Sequence, residues 1–300
     1  MAMRGDWRGD KTLITVQLSG GLGNQLFQYA AGLALATRRA TDLRLDLRKF
    51  RKSDATTEDP AARPVRIMDF ALPQRESCTR AQEDGWRNRW NLAKNLHLPP
   101  RWFNIHDDRT LRFQPRFHDL PDGTCLRGYF QSELYFAPCA DLVRQAFAPA
   151  DPQLAARIEA QLNALRRPGR AQVALHIRRG DFLTVENRDC LTGDDFLEAA
   201  MARFAGADFL VFSDDADWCR ARFAGRSDVT ISPFTRVIED FIAMSLCDHN
   251  ILAKSTFSWW AAWLNVRAGR QVIAPAISIQ DKPSWGGGSP DYYPPDWTLI

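Results

Sequence analysis

No CxxC pair occurs in this 300-residue chain. Its six cysteines stand apart at 78, 125, 139, 190, 219 and 247, which excludes a zinc knuckle and a thioredoxin-type motif. Cysteines scattered in this way read as reduced thiols and place the protein in the cytoplasm. No apolar run approaches the ~18 residues of a membrane span. Met1 to Lys11 carries Arg4, Asp6, Arg8, Asp10 and Lys11 without an apolar stretch, so it is not a secretory signal. Any membrane association would be peripheral, at the inner membrane. Charge of one sign is lacking as well. The 39 basic and 36 acidic residues leave a net charge of +3, which argues against nucleic acid as a partner. Lysine is scarce, only six of those 39 basic residues. The remainder is arginine, whose planar fork suits phosphate and carboxylate. Base composition of the genome explains much of the excess, so each arginine is judged by its context.

What is present is an ordinary globular composition, 45% apolar and 11% aromatic. The length allows two domains of about 150 residues. Thr12 to Leu18 is β-rich, Ser19 to Asn24 is a glycine turn, and Gln25 to Ala40 places Leu26, Tyr29, Ala30 and Leu33 at helical spacing. Strand, turn and helix open an α/β unit. Leu43 to Leu47 alternates as a second strand. Arg48 to Arg66 reads as a long polar loop. Residues 75–122 give no clear periodicity, and Gly128 to Phe136 is helix-like. A boundary falls near 148–152, dividing residues 1–150 from 151–300. Beyond it come a helix (Leu154 to Leu165), strands at Gln172–Ile177, Phe209–Phe212, Ile251–Ala253 and Val272–Ala274, and helices at Val237–Leu246 and from Ser255. Two β/α halves predict two Rossmann-like domains, with ligands beyond the carboxyl ends of their strands.

Four motifs lie at such ends. Gly20-Gly21-Leu22-Gly23-Asn24-Gln25 brings backbone N–H groups to a helix start, where anions bind. It lacks the third glycine of a dinucleotide fingerprint, since Leu26 stands there. It also lacks the lysine of a P-loop, since Asn24-Gln25 follows. His176-Ile177-Arg178-Arg179-Gly180-Asp181 puts His176 and Arg178 on one strand face, with a pair of arginines suited to a diphosphate. A surface cluster paired with Asp181 is the bland alternative. Ser213-Asp214-Asp215-Ala216-Asp217 offers a carboxylate for guanine or a ribose hydroxyl. It also offers a helix cap, or a metal-binding Asp215-x-Asp217. Ser255-Thr256-Phe257-Ser258 opens a helix whose hydroxyls and N–H groups form a second anion site, while Trp260 and Trp263 read as core.

In this order, GGLGNQLFQYAAG at 20–32, GYFQSELYF at 128–136, HIRRGDF at 176–182, FSDD at 212–215 and STFSWWAAWL at 255–264 resemble bacterial α-1,2-fucosyltransferases of glycosyltransferase family 11. The Glu239-Asp240 to His249 stretch and the Trp285 tail extend the likeness. The resemblance implies a GT-B fold, two facing Rossmann-like domains with a cleft between them. It implies transfer of L-fucose from GDP-β-L-fucose to the 2-OH of a terminal galactose in a glycan, for instance in O-antigen biosynthesis. Residues 151–300 would hold the donor and residues 1–150 the acceptor, with no cofactor and no metal. By resemblance, Arg178 holds the diphosphate and His176 lies against the nucleotide. Asp214 or Asp215 reads guanine. Ser255, Thr256, Phe257 and Ser258 surround phosphates and guanosine, and Gly21, Gly23 and Asn24 approach the fucose and diphosphate. Lys254 departs from the asparagine expected there. The β-linked donor gives an α-linked product, so a base must take the acceptor proton, and Asp181 and Glu186 are the candidates. Two rival functions remain: a metal-dependent GT-A transferase using Asp215 and Asp217, and a non-catalytic nucleotide-sugar or glycan-binding protein.

Overall fold

Two parallel β-sheets organise the chain. The computed structural model describes residues 13–51, 64–108, 112–183, 191–276 and 290–300. Glu186, Cys190 and Trp285 lie outside the described residues, as does the side chain of Asp181. Strands β1 (Ile14–Gln17), β2 (Leu43–Asp46), β3 (Ile105–Asp107) and β4 (Cys125–Arg127) form one sheet in the order β2-β1-β4-β3. Strands β5 (Gln172–Ile177), β6 (Asp208–Ser213), β7 (Val229–Ile231), β8 (His249–Ile251), β9 (Val272–Ala274) and β10 (Thr298–Leu299) form the other, in the order β10-β9-β8-β5-β6-β7. All of these pairings are parallel. Helices α1 (Leu22–Arg39), α2 (Arg48–Arg51), α3 (Arg80–Asn95), α4 (Ala140–Ala146), α5 (Pro152–Leu165), α6 (Asp194–Ala202), α7 (Ala216–Arg222), α8 (Val237–Leu246) and α9 (Thr256–Leu264) supply crossovers and cover. Parallel strands need such crossovers and bury both faces, which is why β1 and β5 are buried at every position.

The main core runs through both halves. Ile14, Val16 and Phe27 belong to one buried cluster with Phe241, Trp259 and Trp260. The Phe27 ring on α1 lies 4.5 Å from Trp259 and 4.8 Å from Trp260 on α9. Trp260 in turn stacks on Phe136 at 5.1 Å. The two helices meet end to end at Gly23, where any Cβ would collide with the Thr256 backbone. A second cluster, with Leu175, Leu197, Phe209 and Ile251, fills the other face of the larger sheet. Residues 148–150 still bond to 69–71, through Ala71 N to Ala148 O and Ala150 N to Asp69 O. Asp151 then caps α5, which packs on α8.

Four segments differ from the sequence expectation. The expected loop from Arg48 begins as a short helix, α2, at Arg48–Arg51. Residues 128–136 are not a helix. Gly128 and Phe130 both have positive φ, and only a single 3-10 turn forms at Glu133–Tyr135, capped by Ser132. The region 75–122 holds a sixteen-residue helix, α3, with a capping box between Thr79 and Gln82. The run at 251–253 starts its strand earlier, at His249, because β8 is in register with β5 from Val173 onward. Truncating Phe27→Ala removes an aromatic buried among three others. The expected cost is about 3–5 kcal/mol, read as a lower urea midpoint at unchanged m-value.

Candidate active site

The carboxyl end of β5 is held by the end of β6. Register pairs Ile177 with Ser213, so the Arg178-Arg179-Gly180 turn lies beside Asp214-Asp215. Asp214 Oδ1 accepts from the backbone N–H of Arg179 (2.8 Å) and of Gly180 (3.2 Å), and its Oδ2 lies 3.1 Å from Arg178 Nε. Gly180 leaves room for this closeness, since a Cβ there would press on the Asp214 carboxylate and make it shift. Asp215 pairs with Arg179 at 3.0 Å and accepts from Trp218 N as the cap of α7. These contacts, the Arg179 hydrogen bond first, hold its carboxyl below the usual range. Arg179 also lies 4.0 Å over the Trp218 ring. The helix-cap alternative therefore describes Asp215. Asp217 is exposed and pairs with Arg220. Among the described residues no three acidic, histidine or cysteine groups gather as metal ligands.

His176 is 5% exposed on β5. Burial, and then the positive charge of Arg178, push its pKa down to about 3, so it is neutral at working pH. Its Nδ1 has no partner, and its ring lies 5.6 Å from Phe257. That contact joins the end of β5 to the start of α9.

The start of α9 joins the start of α1. Thr256 Oγ1 donates to Asn24 Oδ1 at 3.2 Å, and Gln131 Nε2 donates to the same oxygen at 2.8 Å. The Asn24 amide nitrogen is left as the available donor. Ser255 caps α9 by accepting from Phe257 N. Ser258 is fully buried, and its hydroxyl bonds to the carbonyls of Ser255 and Ala253. It shapes the cap rather than lining open space. Trp260 and Trp263 are core, as expected, and Trp263 Nε1 donates to Glu133 at 3.0 Å.

The sequence reading missed three glutamines that build the site. Gln25 donates to Gly20 O and Pro64 O and accepts from Arg66 N and Ile67 N. Gln28 accepts from Ser19 N and donates to Ser19 Oγ and Gly128 O. Gln131 sets the Asn24 rotamer. Both Gln25 and Gln28 are wholly buried, so their full pairing is what makes them tolerable there. Two glutamines three apart at a glycine-led helix start were the available signal.

The model of the family described as Glycosyl transferase family 11 matches residues 85–300, which include the turn after β5 and the start of α9. The chain belongs to glycosyl transferase family 11. It is a glycosyltransferase. Within the family's reach, it is 29% identical to the Escherichia coli alpha-1,2-colitosyltransferase over 84% of this chain and 88% of that one. It is 29% identical to the Escherichia coli O-antigen biosynthesis glycosyltransferase WbnK, over 86% and 92%. It is 28% identical to the Homo sapiens galactoside alpha-(1,2)-fucosyltransferase 1, over 95% and 77%. In fold, it superposes on an Arabidopsis thaliana FUT1 structure with TM-score 0.52 and 11% identity, covering 96% of this chain and 76% of that one. An Escherichia coli ADP-heptose heptosyltransferase II gives TM-score 0.50 at 11% identity, covering 96% and 90%. The two Rossmann-like sheets are thus the GT-B arrangement. No helix among the described residues is long and apolar enough to cross a membrane.

Asp240, in the first turn of α8, accepts from Ser232 Oγ at 2.7 Å, and burial raises its pKa to about 6. The unfolded value is near 3.9, so ionisation in the folded state costs stability as pH rises from ~4 through 6. Asp240→Asn keeps the oxygen that Ser232 needs. The variant is expected to gain ~1–2 kcal/mol at pH 7.5 and little at pH 4, read as the shift in melting temperature at the two pH values.

Proposed function

We propose that this family 11 enzyme transfers L-fucose from GDP-β-L-fucose to the 2-OH of a terminal galactose, with inversion. One chain of contacts carries the reading. His176 against Phe257, and Thr256 on Asn24, join the end of β5 and the starts of α9 and α1 into one polar wall. Residues 151–300 bind the donor in this reading, and residues 1–150 bind the acceptor. Arg178 at a strand end and the N–H groups at the start of α9 answer the charge that develops on the leaving GDP. Neutral His176 and a carboxylate of the Asp214-Asp215 pair face the nucleotide. Asn24 offers its amide nitrogen to the sugar or the diphosphate.

The step breaks the bond between fucose C1 and the phosphate oxygen and forms one between C1 and galactose O2, on the opposite face. The acceptor proton passes to a carboxylate of the segment after β5, Asp181 or Glu186. Protein cations and helix-terminal donors offset the negative charge of the leaving group, so neither a metal nor another cofactor is required in this scheme. The named activities of the human and Escherichia coli relatives support the linkage. The colitosyltransferase likeness favours one second reading, in which the transferred sugar is colitose.

The test is a galactoside array with GDP-fucose and the corresponding colitose donor offered separately, and the product linkage determined by NMR. An α-1,2-linked fucose is expected. Preference for colitose, a different linkage, or GDP binding without turnover overturns the fucosyl reading. Activity is expected to persist in EDTA, whereas loss restored by Mn²⁺ favours Asp215 and Asp217 as ligands. Arg178→Ala removes a charge-assisted phosphate contact. Its turnover is expected to fall at least about tenfold with the thermal melt unchanged, and near wild-type turnover overturns the diphosphate role.

A further inference from the structure

A basic recess in the smaller sheet's half plays no part in the scheme above. A cavity of about 670 Å³ lies beyond the carboxyl ends of β1, β2 and β4. Gln17 and Arg127, the last residues of β1 and β4, line it, as does Arg48, two residues past β2. Helix α3 closes the other side. In an open parallel sheet this is where a ligand sits, and the volume suits a mono- or disaccharide.

The lining is cationic. Arg48, Lys49, Arg80, Arg87 and Arg127 face it, against Glu83 and Asp84. Two of the cations are already engaged. Arg48 is locked on the buried Asp46 and on Glu83 O, and Arg87 pairs with Asp84 at 2.9 Å. Lys49, Arg80 and Arg127 have no carboxylate within ion-pair distance among the described residues. Arg127 stands out, because its guanidinium lies flat on Trp90 at 3.5 Å and its buried Nε has no hydrogen-bond partner. Burial lowers its pKa, with Asp107 acting in opposition. A half-buried arginine held over an aromatic ring, with no carboxylate partner among the described residues, is suited to receive a planar or multi-oxygen anion. Only a short stretch of chain separates the recess from the reacting wall. The chain leaves Arg127 through Gly128, whose carbonyl Gln28 holds, and reaches Gln131, which fixes Asn24.

We infer that this recess is an anion subsite for the acceptor, so that the galactoside accepted carries a carboxylate or a phosphate close to the reacting residue. The inference rests on the fucosyl reading of the same enzyme. The shared chemistry is an oxyanion held by Arg127 and Arg80. An acidic sugar and a diphosphate-linked glycan are its two sources.

Three acceptors separate the cases: a neutral methyl galactoside disaccharide, the same galactoside on glucuronic acid, and the same galactoside on an alkyl diphosphate. At low salt, kcat/KM is expected to be at least about tenfold higher for one anionic acceptor than for the neutral one. That ratio is expected to shrink toward one in 0.5 M NaCl, as screening requires. The acceptor that gains identifies the source. Arg127→Gln and Arg80→Gln are each expected to reduce the anionic-to-neutral ratio several-fold. Arg80 is exposed at the start of α3, so its variant guards against a folding artefact at Arg127. Equal use of all three acceptors overturns the inference while leaving fucosyl transfer intact, as does a ratio unchanged in both variants. If no galactoside is turned over, the fucosyl reading fails and the subsite is judged by binding alone. Titration with methyl β-glucuronide and with methyl diphosphate then decides. Binding that weakens in both variants supports the anion subsite. Binding that is absent, or the same in both, overturns it.

Discussion

The close approach of two helix starts is the constraint on which the rest depends. Helix α1 springs from the smaller sheet and α9 from the larger. They touch where Gly23 lies against the backbone of Thr256. Only a residue without a side chain fits there. Once the backbones are that near, the rings one turn on must interleave, and Phe27 sits among Trp259, Trp260 and Phe136. The polar residues then have little choice. Asn24 is within reach of Thr256, and Gln25 and Gln28 must find partners inside a dry interior. They do so by tying the glycine turn to residues 64–67 and to Gly128. Two helix N-termini, each with unpaired N–H groups and a partial positive charge, end up side by side.

Arginine is the second theme, and carboxylates keep it in order. Arg178 and Arg179 are adjacent in sequence, and like charges that close would repel. Asp214 and Asp215 lie in register opposite and take one each. Asp214 also accepts two backbone N–H groups, which fixes the turn whatever the arginine side chain does. The turn is therefore pre-set, and under the proposed scheme only the end of the guanidinium would change partner on donor binding. Pre-organisation of this kind lowers the cost of stabilising charge late in a reaction.

Much of this was legible in the residues, and the exceptions have physical reasons. Strands β5 and β6 are short apolar runs that end in polar motifs, so the elements could be read. Helix α1 shows its helical period plainly. Helix α3 does not, because it buries only Glu83 and Ala93. A helix with so small a buried face has no apolar stripe to detect, although its Thr79 and Gln82 capping box was there to be seen. The stretch at 128–136 has helical composition but follows a glycine at positive φ, and a second positive φ at Phe130 prevents the turn from propagating. Ser258 and Thr256 show the limit of motif reading. Two hydroxyls two residues apart point to opposite sides of a helix start, one inward to carbonyls and one across to Asn24. Residue type alone does not distinguish them.

The shared core has a consequence for modularity. Two-sheet enzymes invite the picture of a donor module and an acceptor module joined by a strap, each exchangeable for another. Here the aromatic cluster belongs to neither half. Phe27 and Phe136 come from one, and Trp259 and Trp260 from the other. Exchanging the half with the larger sheet for a relative's would leave half a core, so compatibility would be decided by the fit of four rings rather than by the length of the strap.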